Sequence, residues 1–329
     1  MIEQARVLVT GAGGFIGHHL VKYLKRRGYW VRGVDLKHPE FEATEADEFE
    51  ALDLRRWDNC LQATRGIQHV YALAADMGGM GYISNHHAEI LAANTLIDTH
   101  TLDAARLNGV ERYLYASSAC VYPEYLQTEV DVPPLKEDDA YPAAPQDAYG
   151  WEKLITERLL LHYRETYGIE TRIARFHNIY GPLGTWMGGR EKAPAAMCRK
   201  VAAAARTGEH AIEIWGDGEQ TRSFCYVDDC VEGVYRLMHS DFADPLNIGS
   251  EELTTINNLA DIVASLAGIE VAKRHIDGPQ GVRGRCSDNT LIREVLKWEP
   301  SIKLADGLAR TYEWIAHQEA TTVAGVRGA

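Results

Sequence analysis

Tyr149 and Lys153 stand four residues apart in Tyr149-Gly-Trp-Glu-Lys153, a spacing that puts a phenol and an ammonium one turn apart on one helix face. A nearby cation lowers a phenol's pKa, so the pair predicts a base able to take a hydroxyl proton near neutral pH. Such pairs are common on protein surfaces. This one gains weight from the run Tyr115-Ala-Ser-Ser-Ala-Cys-Val-Tyr122, which places Ser117 and Ser118 at the end of an apolar strand pattern. Ligands of open α/β sheets bind at the carboxyl ends of strands, where two hydroxyls can orient a reacting alcohol or carbonyl.

A second group lies at the start of the chain. Gly11-Ala-Gly-Gly14-Phe15-Ile16-Gly17 follows one apolar run and opens a helical pattern. Gly11, Gly14 and Gly17 permit a tight turn, and the backbone around Phe15 and Ile16 offers N–H groups to a pyrophosphate at the helix start. A glycine triplet alone is weak evidence, but Asp35 closes the next strand pattern at about the expected twenty-residue distance. A carboxylate there accepts hydrogen bonds from an adenosine ribose and repels a 2′-phosphate, so NAD is expected rather than NADP. Asp53, within Ala51-Leu-Asp53-Leu54, either borders the adenine or is a solvated loop acid.

The elements that position these residues follow from apolar runs. Residues 6–10, 31–35, 69–73, 112–116 and 171–176 are near-continuously apolar or nearly so, as strands covered on both faces are. Helical patterns lie between them, and one with Leu20, Val21 and Leu24 on its inner face stops at Gly28. Alternating strands and helices predict an α/β fold: a Rossmann-type, doubly wound parallel sheet with right-handed crossovers. Residues 133–145 hold four prolines and read as an irregular loop, whereas 254–267 form an amphipathic helix ended by Gly268. The expected organisation is a nucleotide-binding domain over 1–176 plus about 225–250. A smaller, discontinuous substrate-binding domain would take 177–224 and 251–318, leaving 319–329 as a disordered tail.

Composition narrows the class. The 329 residues carry 34 Lys plus Arg against 47 Asp plus Glu, a net charge of -13, which argues against nucleic acid or anionic membrane as the main partner. An anionic ligand would need a local basic pocket. No run of about 18 apolar residues is present, and Met1-Ile-Glu-Gln4 leads straight into the first strand pattern without a signal peptide. Six scattered cysteines with no CxxC pair predict reduced thiols in the cytoplasm, with Cys60, Cys198, Cys225, Cys230 and Cys286 structural. The pairs His18-His19 and His86-His87 lack further ligands at metal spacing, so no metal is expected.

Taken together, the glycine loop, Asp35, the serines and the Tyr149–Lys153 pair resemble the extended short-chain dehydrogenase/reductase family of nucleotide-sugar enzymes, through about residue 318. That resemblance implies oxidation of a sugar C4 hydroxyl to a ketone that is then exploited. Dehydratases of the family carry Asp-Glu after the serine or threonine. Here Ala119 and Cys120 stand there. A C4 ketone acidifies the C3 and C5 protons, which a thiolate can remove, although a single Cys is more often simply a small buried residue.

Longer strings resemble the GDP-mannose 3,5-epimerase group within that family: Ala74–Gly81, Ser117–Glu124, Pro145–Lys153, Arg175–Pro182, Gly184–Ala196, Trp215–Phe224 and Gly281–Asn289. The resemblance implies that Cys120 and Lys192 are an epimerising acid/base pair and that Tyr149 with Lys153 serves redox at C4. It also implies that Gly78, Ser118, Asn178, Glu191, Ala193, Lys200, Gln220, Arg222 and Arg285 contact the sugar and diphosphate. Arginine forks suit a diphosphate in any case. The implied reaction turns GDP-D-mannose into GDP-L-galactose, with GDP-L-gulose when only C5 inverts, using tightly bound, recycled NAD in a homodimer. The Leu91–Leu107 stretch is a candidate dimer face.

Three alternatives stay open. A GDP-4-keto-6-deoxymannose epimerase/reductase would pair its cysteine with a histidine after the NxYGP string, but Leu183 follows Pro182 here, and Asp35 disfavours NADPH. A UDP-sugar 4-epimerase would differ in its sugar pocket. A non-catalytic NAD-binding regulator would have no reason to keep Tyr149, Lys153, Cys120 and Lys192 together.

Overall fold

Val7, Leu8 and Val9 have no exposed surface, because the strand that carries them is covered on both faces. In the computed structural model, which describes residues 5–327, this strand is β1 (Arg6–Thr10). There follow α1 (Phe15–Arg26), β2 (Trp30–Asp35), β3 (Glu48–Ala51), α2 (Trp57–Thr64), β4 (His69–Ala72), α3 (Met80–Ile83), α4 (His87–Leu107), β5 (Arg112–Ser118), α5 (Ala148–Tyr167) and β6 (Glu170–Phe176). The second half contains β7 (Ile179–Tyr180), α6 (Ala193–Thr207), β8 (Ala211–Trp215), β9 (Thr221–Ser223), β10 (Cys225–Tyr226), α7 (Val227–Met238), β11 (Pro245–Ile248), β12 (Leu253–Thr255) and α8 (Ile256–Ala267). It ends with β13 (Ala272–Ile276), β14 (Gly284–Arg285), α9 (Thr290–Leu296) and α10 (Leu304–Arg327).

Seven strands form one sheet in the order β11-β6-β5-β4-β1-β2-β3, every pair parallel. The chain reverses its direction of travel across the sheet between β1 and β4, the crevice where such sheets bind ligands. There the Thr10 hydroxyl accepts from the Leu73 and Ala74 N–H groups, both at 3.1 Å. Two strands are absent from the sequence reading. β3 is an edge strand with Glu48 and Glu50, and β11 is only four residues long with a buried Asn247, so neither carries a clear apolar run.

β10 pairs with β7 in a separate two-stranded sheet, and residues 227–248 then return to the large sheet: β11 pairs with β6, and α7 packs against α1. The remaining C-terminal segments build a smaller layer. β12-β9-β14 and β13-β8 are its two sheets, and α10 packs on α6 and α8. The expected disordered tail from residue 319 is corrected by α10, which continues to Arg327; Glu319 at its edge pairs with Arg206 of α6 at 2.9 Å. Met1–Gln4 and the last two residues lie outside the described residues. Among the described residues no helix is long and apolar enough to cross a membrane.

Candidate active site

The glycine loop is shaped by close backbone approach. Gly11 has φ 70°, and a Cβ there would lie 2.9 Å from the Ala74 nitrogen. A side chain at Gly17 would run into the Gly11 carbonyl, which is why the helix can begin so tightly against the strand. Gly14 is the N-cap of α1, with no side-chain cap and no acidic residue in the first turn, so no side chain there competes with an anion for the first-turn donors. Asp35 ends β2, and its Oδ2 accepts from Gly13 N–H at 3.0 Å. Gly13 is the glycine the sequence reading passed over: a Cβ would lie 3.1 Å from the Asp35 carboxyl carbon. The cradle therefore fits a dinucleotide, with Gly11, Gly14, Phe15, Ile16 and Gly17 at the turn and Asp35 beside it. Asp53 lies beyond β3, its carboxylate forked by Arg55 at 2.7 and 2.8 Å and held below the usual range by that guanidinium.

Asp147 starts α5 by accepting from Gly150 N–H at 2.8 Å, which sets Tyr149 in the first turn. Gly150 has a second role: any side chain there would strike the Cys120 carbonyl, so α5 packs directly under the turn that carries Cys120. Tyr149 is buried against Ile83 and Ile90 and lines the same cavity as Ser118. Burial pushes its phenol above the ordinary value, while the Lys153 charge and Ser118 pull the other way. The expected downward shift is thus corrected: desolvation outweighs the cation in the free protein. Lys153 Nζ lies 5.5 Å from the Tyr149 ring centre.

Ser117 and Ser118 part company. Successive residues on a strand face opposite ways. Ser118 lines the cavity and accepts from Cys120 N–H at 3.1 Å, whereas Ser117 is buried on the other face and donates to Glu157 at 2.5 Å. Ser117 therefore does not reach the site. Its partner Glu157 is bound bidentately by Arg175 at 2.7 and 2.9 Å.

A cavity of about 300 Å³ opens between the large sheet and the smaller layer. It gathers Gly78, Ser118, Cys120, Tyr149, Asn178, Glu191, Lys192, Ala193, Lys200, Gln220, Arg222 and Arg285 from segments far apart in sequence. Cys120 sits in a 3-10 turn just after β5, and Arg285 approaches its Sγ at 3.5 Å. Lys192 is the N-cap residue of α6, with Pro194 just behind it. Burial, helped by Arg285, lowers its ammonium pKa, and Cys120 opposes this.

Arg222 and Arg285 have no carboxylate partner among the described residues. Arg222 donates to the Thr221 and Val282 carbonyls at 2.7 and 2.6 Å, and Arg285 to Gln127 Oε1 at 2.6 Å. Burial and the neighbouring Arg285 push the Arg222 guanidinium down to about 9, which leaves it charged near neutral pH. Two charged forks held only by neutral groups suit a diphosphate in a chain that is acidic overall. Lys200 donates to the Glu213 carbonyl, Asn178 (φ 45°) to the Ser223 carbonyl at 2.9 Å, and Gln220 keeps a buried Oε1 with no partner among the described residues. Glu191 accepts from Arg199 at 2.9 Å and from Gly189 N–H at 2.7 Å.

Gln127, Tyr115 and Asp98 were not singled out from the sequence. Gln127 holds Arg285 from a loop 158 positions away, and Tyr115 and Asp98 hold Lys153 from below. Only the YASS run hinted at Tyr115. The other five cysteines are buried and free.

Comparison with known proteins agrees with this geometry. Residues 7–249 match the NAD dependent epimerase/dehydratase family. GDP-mannose 3,5-epimerase 1 of Oryza sativa subsp. japonica is 55% identical over 96% of this chain and 83% of its own length. Among solved structures, the UDP-glucose 4-epimerase of Thermotoga maritima with UDP-glucose superposes with TM-score 0.86 at 26% identity, covering 95% of this chain and 99% of that one. The Thermus thermophilus UDP-glucose 4-epimerase in complex with NAD gives TM-score 0.82 at 25% identity over 94% and 98% of the two chains. Fold, dinucleotide cradle and sequence agree: the chain belongs to the NAD dependent epimerase/dehydratase family.

Proposed function

We propose that this NAD-dependent enzyme is a GDP-mannose 3,5-epimerase, converting GDP-D-mannose to GDP-L-galactose and, when only C5 inverts, GDP-L-gulose. The observation that carries the reading is one cavity lined by Tyr149, Cys120 and Lys192 together with two arginines that lack carboxylate partners among the described residues. The 55% identity to the rice GDP-mannose 3,5-epimerase supports the choice of sugar nucleotide. NAD, when bound, supplies a reversible hydride acceptor for C4, with the Gly11–Gly17 turn and Asp35 as its seat.

The chain's own residues do the rest. Arg222, Arg285 and Lys200 hold the diphosphate, and Asn178, Gln220 and Gly78 border the sugar. Ser118 orients the C4 oxygen while Tyr149 takes its proton, and the Lys153 charge stabilises the phenolate so formed. With C4 at the ketone level, the protons on C5 and C3 become acidic. Cys120 and Lys192 act on opposite faces of the ring, one removing a proton and the other delivering one. Tyr149 returns its proton as C4 is restored to an alcohol. There is no net redox, so the cofactor turns over in place.

The two catalytic layers form one nucleotide-binding domain (1–176 with about 225–250) and one sugar-nucleotide domain (177–224 and 251–318) in this reading. A homodimer is part of it as well: Leu91 and Leu96 of α4, with Trp151 and Ile155 of α5, expose apolar surface on two helices that pack together. Ile155→Glu should then shift sedimentation toward the monomer; an unchanged profile would discard that face. Buried free thiols suit a reducing compartment, so the cytoplasm is the location we assign.

The direct test is incubation with GDP-mannose in D2O without added NAD, followed by proton NMR. New GDP-hexose signals carrying deuterium at C5 and C3 are expected. Unchanged substrate, even with NAD added, would overturn the assignment, and UDP-glucose would be tried next.

A further inference from the structure

Lys192 sits at the end of a glycine-rich loop, and a loop residue can move a proton only if something fixes its position. The segment facing it across the cavity mouth is Gly78–Gly81, also glycine-rich and also without a core of its own. The two are fastened to each other. Gly79 N–H donates to the Arg190 carbonyl at 3.0 Å. The Arg190 guanidinium lies 3.6 Å from the Tyr82 ring centre and reaches Asp76 Oδ1 at 3.4 Å. The Tyr82 hydroxyl donates to both Asp76 oxygens, at 3.0 and 3.1 Å, and His86 stacks on the ring 4.2 Å away.

The facing segment is itself anchored. Asp76 N–H donates to Asn94 Oδ1 at 2.7 Å, and Asn94 Nδ2 returns a bond to the Asp76 carbonyl at 3.1 Å. Asn94 is fully buried in α4, so the clasp is tied to a rigid helix. At its far end Gly81 rests on Trp215, 3.5 Å from the position a Cβ would take. On the other side, Arg190 is followed directly by Glu191, which Arg199 and Gly189 hold, and then by Lys192.

Resting on the epimerase reading above, we propose that Asp76, Tyr82, Arg190 and Gly79 form a clasp that closes the sugar cavity and positions Lys192 against Cys120. These are positioning residues: none of them need touch the reacting atoms. Opening the clasp lets Lys192 drift further than Tyr149, which packs on Ile83 beside the clasp but is also set by the first turn of α5 and by Ile90 of α4. Proton exchange at C5 and C3 should therefore suffer more than oxidation at C4.

Two variants disturb the clasp by different physics. Arg190→Ala removes the charge and the ring contact from a partly exposed position. Gly79→Ala changes no charge: its φ of -71° is open to any residue, but a Cβ would come within 2.5 Å of the Glu191 carbonyl oxygen and push the two segments apart. In the holoenzyme with GDP-mannose in D2O, both variants should lose about tenfold or more in deuterium incorporation at C5 and C3. The near-ultraviolet absorbance of reduced nicotinamide in the steady state should hold or rise. Loss of both signals together, or of neither, in either variant overturns the proposal. If wild-type protein incorporates no deuterium, it is the epimerase reading that has failed, not the clasp.

Discussion

Lys153 donates to the Tyr115 hydroxyl at 2.9 Å, and that hydroxyl in turn donates to Asp98 at 2.7 Å, so the lysine of the Tyr-x-x-x-Lys pair is held from below. Glu152 completes the pocket, 3.2 Å from Tyr115 and 3.7 Å from the ammonium, with its Oε2 lacking a hydrogen bond among the described residues. All four side chains are buried. Asp98 is therefore the counter-charge that keeps a buried ammonium tolerable. Glu152 is a second carboxyl in a space with one cation.

That asymmetry predicts different outcomes for two isosteric changes. Asp98→Asn should cost about 3–5 kcal/mol, because it strands Lys153 without its best anion. Glu152→Gln should be mild, and its effect should depend on pH. Burial pushes the Glu152 carboxyl up to about 8 from an ordinary 4.5, against the pull of Lys153. A carboxyl raised on folding contributes stability that is complete below its unfolded pKa and is lost as pH climbs through the folded one. The amide variant escapes that loss, so its melting temperature relative to wild type should rise between about pH 5 and about pH 9. Thermal melts across this range giving a constant difference would refute the assignment.

Cys120→Ala and Tyr149→Phe should separate the two halves of the reaction. Removing the sulfur should cut deuterium incorporation at C5 and C3 by about 10²–10⁴-fold while leaving C4 oxidation visible as reduced nicotinamide. Removing the phenol hydroxyl should stop both, since no ketone forms. Undiminished exchange in the alanine variant would take Cys120 out of the mechanism.

What the sequence made legible was local. The glycine turn with Asp35, the Tyr149–Lys153 spacing and the helix ended by Gly268 all lie within single elements or one strand–helix–strand unit. Contacts across the chain were not legible. Nothing about Gln127 announces that it will hold Arg285, and nothing distinguishes Ser117 from Ser118 until the strand register turns one inward and the other toward the cavity. The Tyr149 shift was misjudged for a similar reason: the cation is visible in the sequence, but the burial that outweighs it is a property of the packed fold. Family resemblance carried Lys192 and Arg222 into the site where spacing alone would have left them as surface residues.

Behind the catalytic strand, Arg175 and Glu157 form a bidentate pair, each side chain 2% exposed. The pair joins α5 to β6 and carries Ser117 and the Tyr122 hydroxyl with it. Arg175→Met should destabilise by about 3–5 kcal/mol, leaving a buried carboxylate uncompensated. The double variant Arg175→Met with Glu157→Leu should recover much of that loss in a denaturant melt. Equal losses for the single and the double variant would show that the cost is not the stranded charge.

Lys192 gives the pH dependence of the epimerising step. Burial and the Arg285 guanidinium lower its ammonium pKa, with Cys120 pulling the other way. A lysine that delivers a proton works only while charged, so the alkaline fall in kcat for exchange at C5 and C3 should begin below the ordinary lysine value of 10.5. Arg285→Gln removes one cause of the shift. At saturating GDP-mannose it should move that alkaline limb upward, while KM rises because a diphosphate fork is lost. Lys192→Met should abolish exchange at every pH. An alkaline limb that stays in place or moves downward in Arg285→Gln would mean that another group sets it, and Lys192 would lose its role as the proton donor.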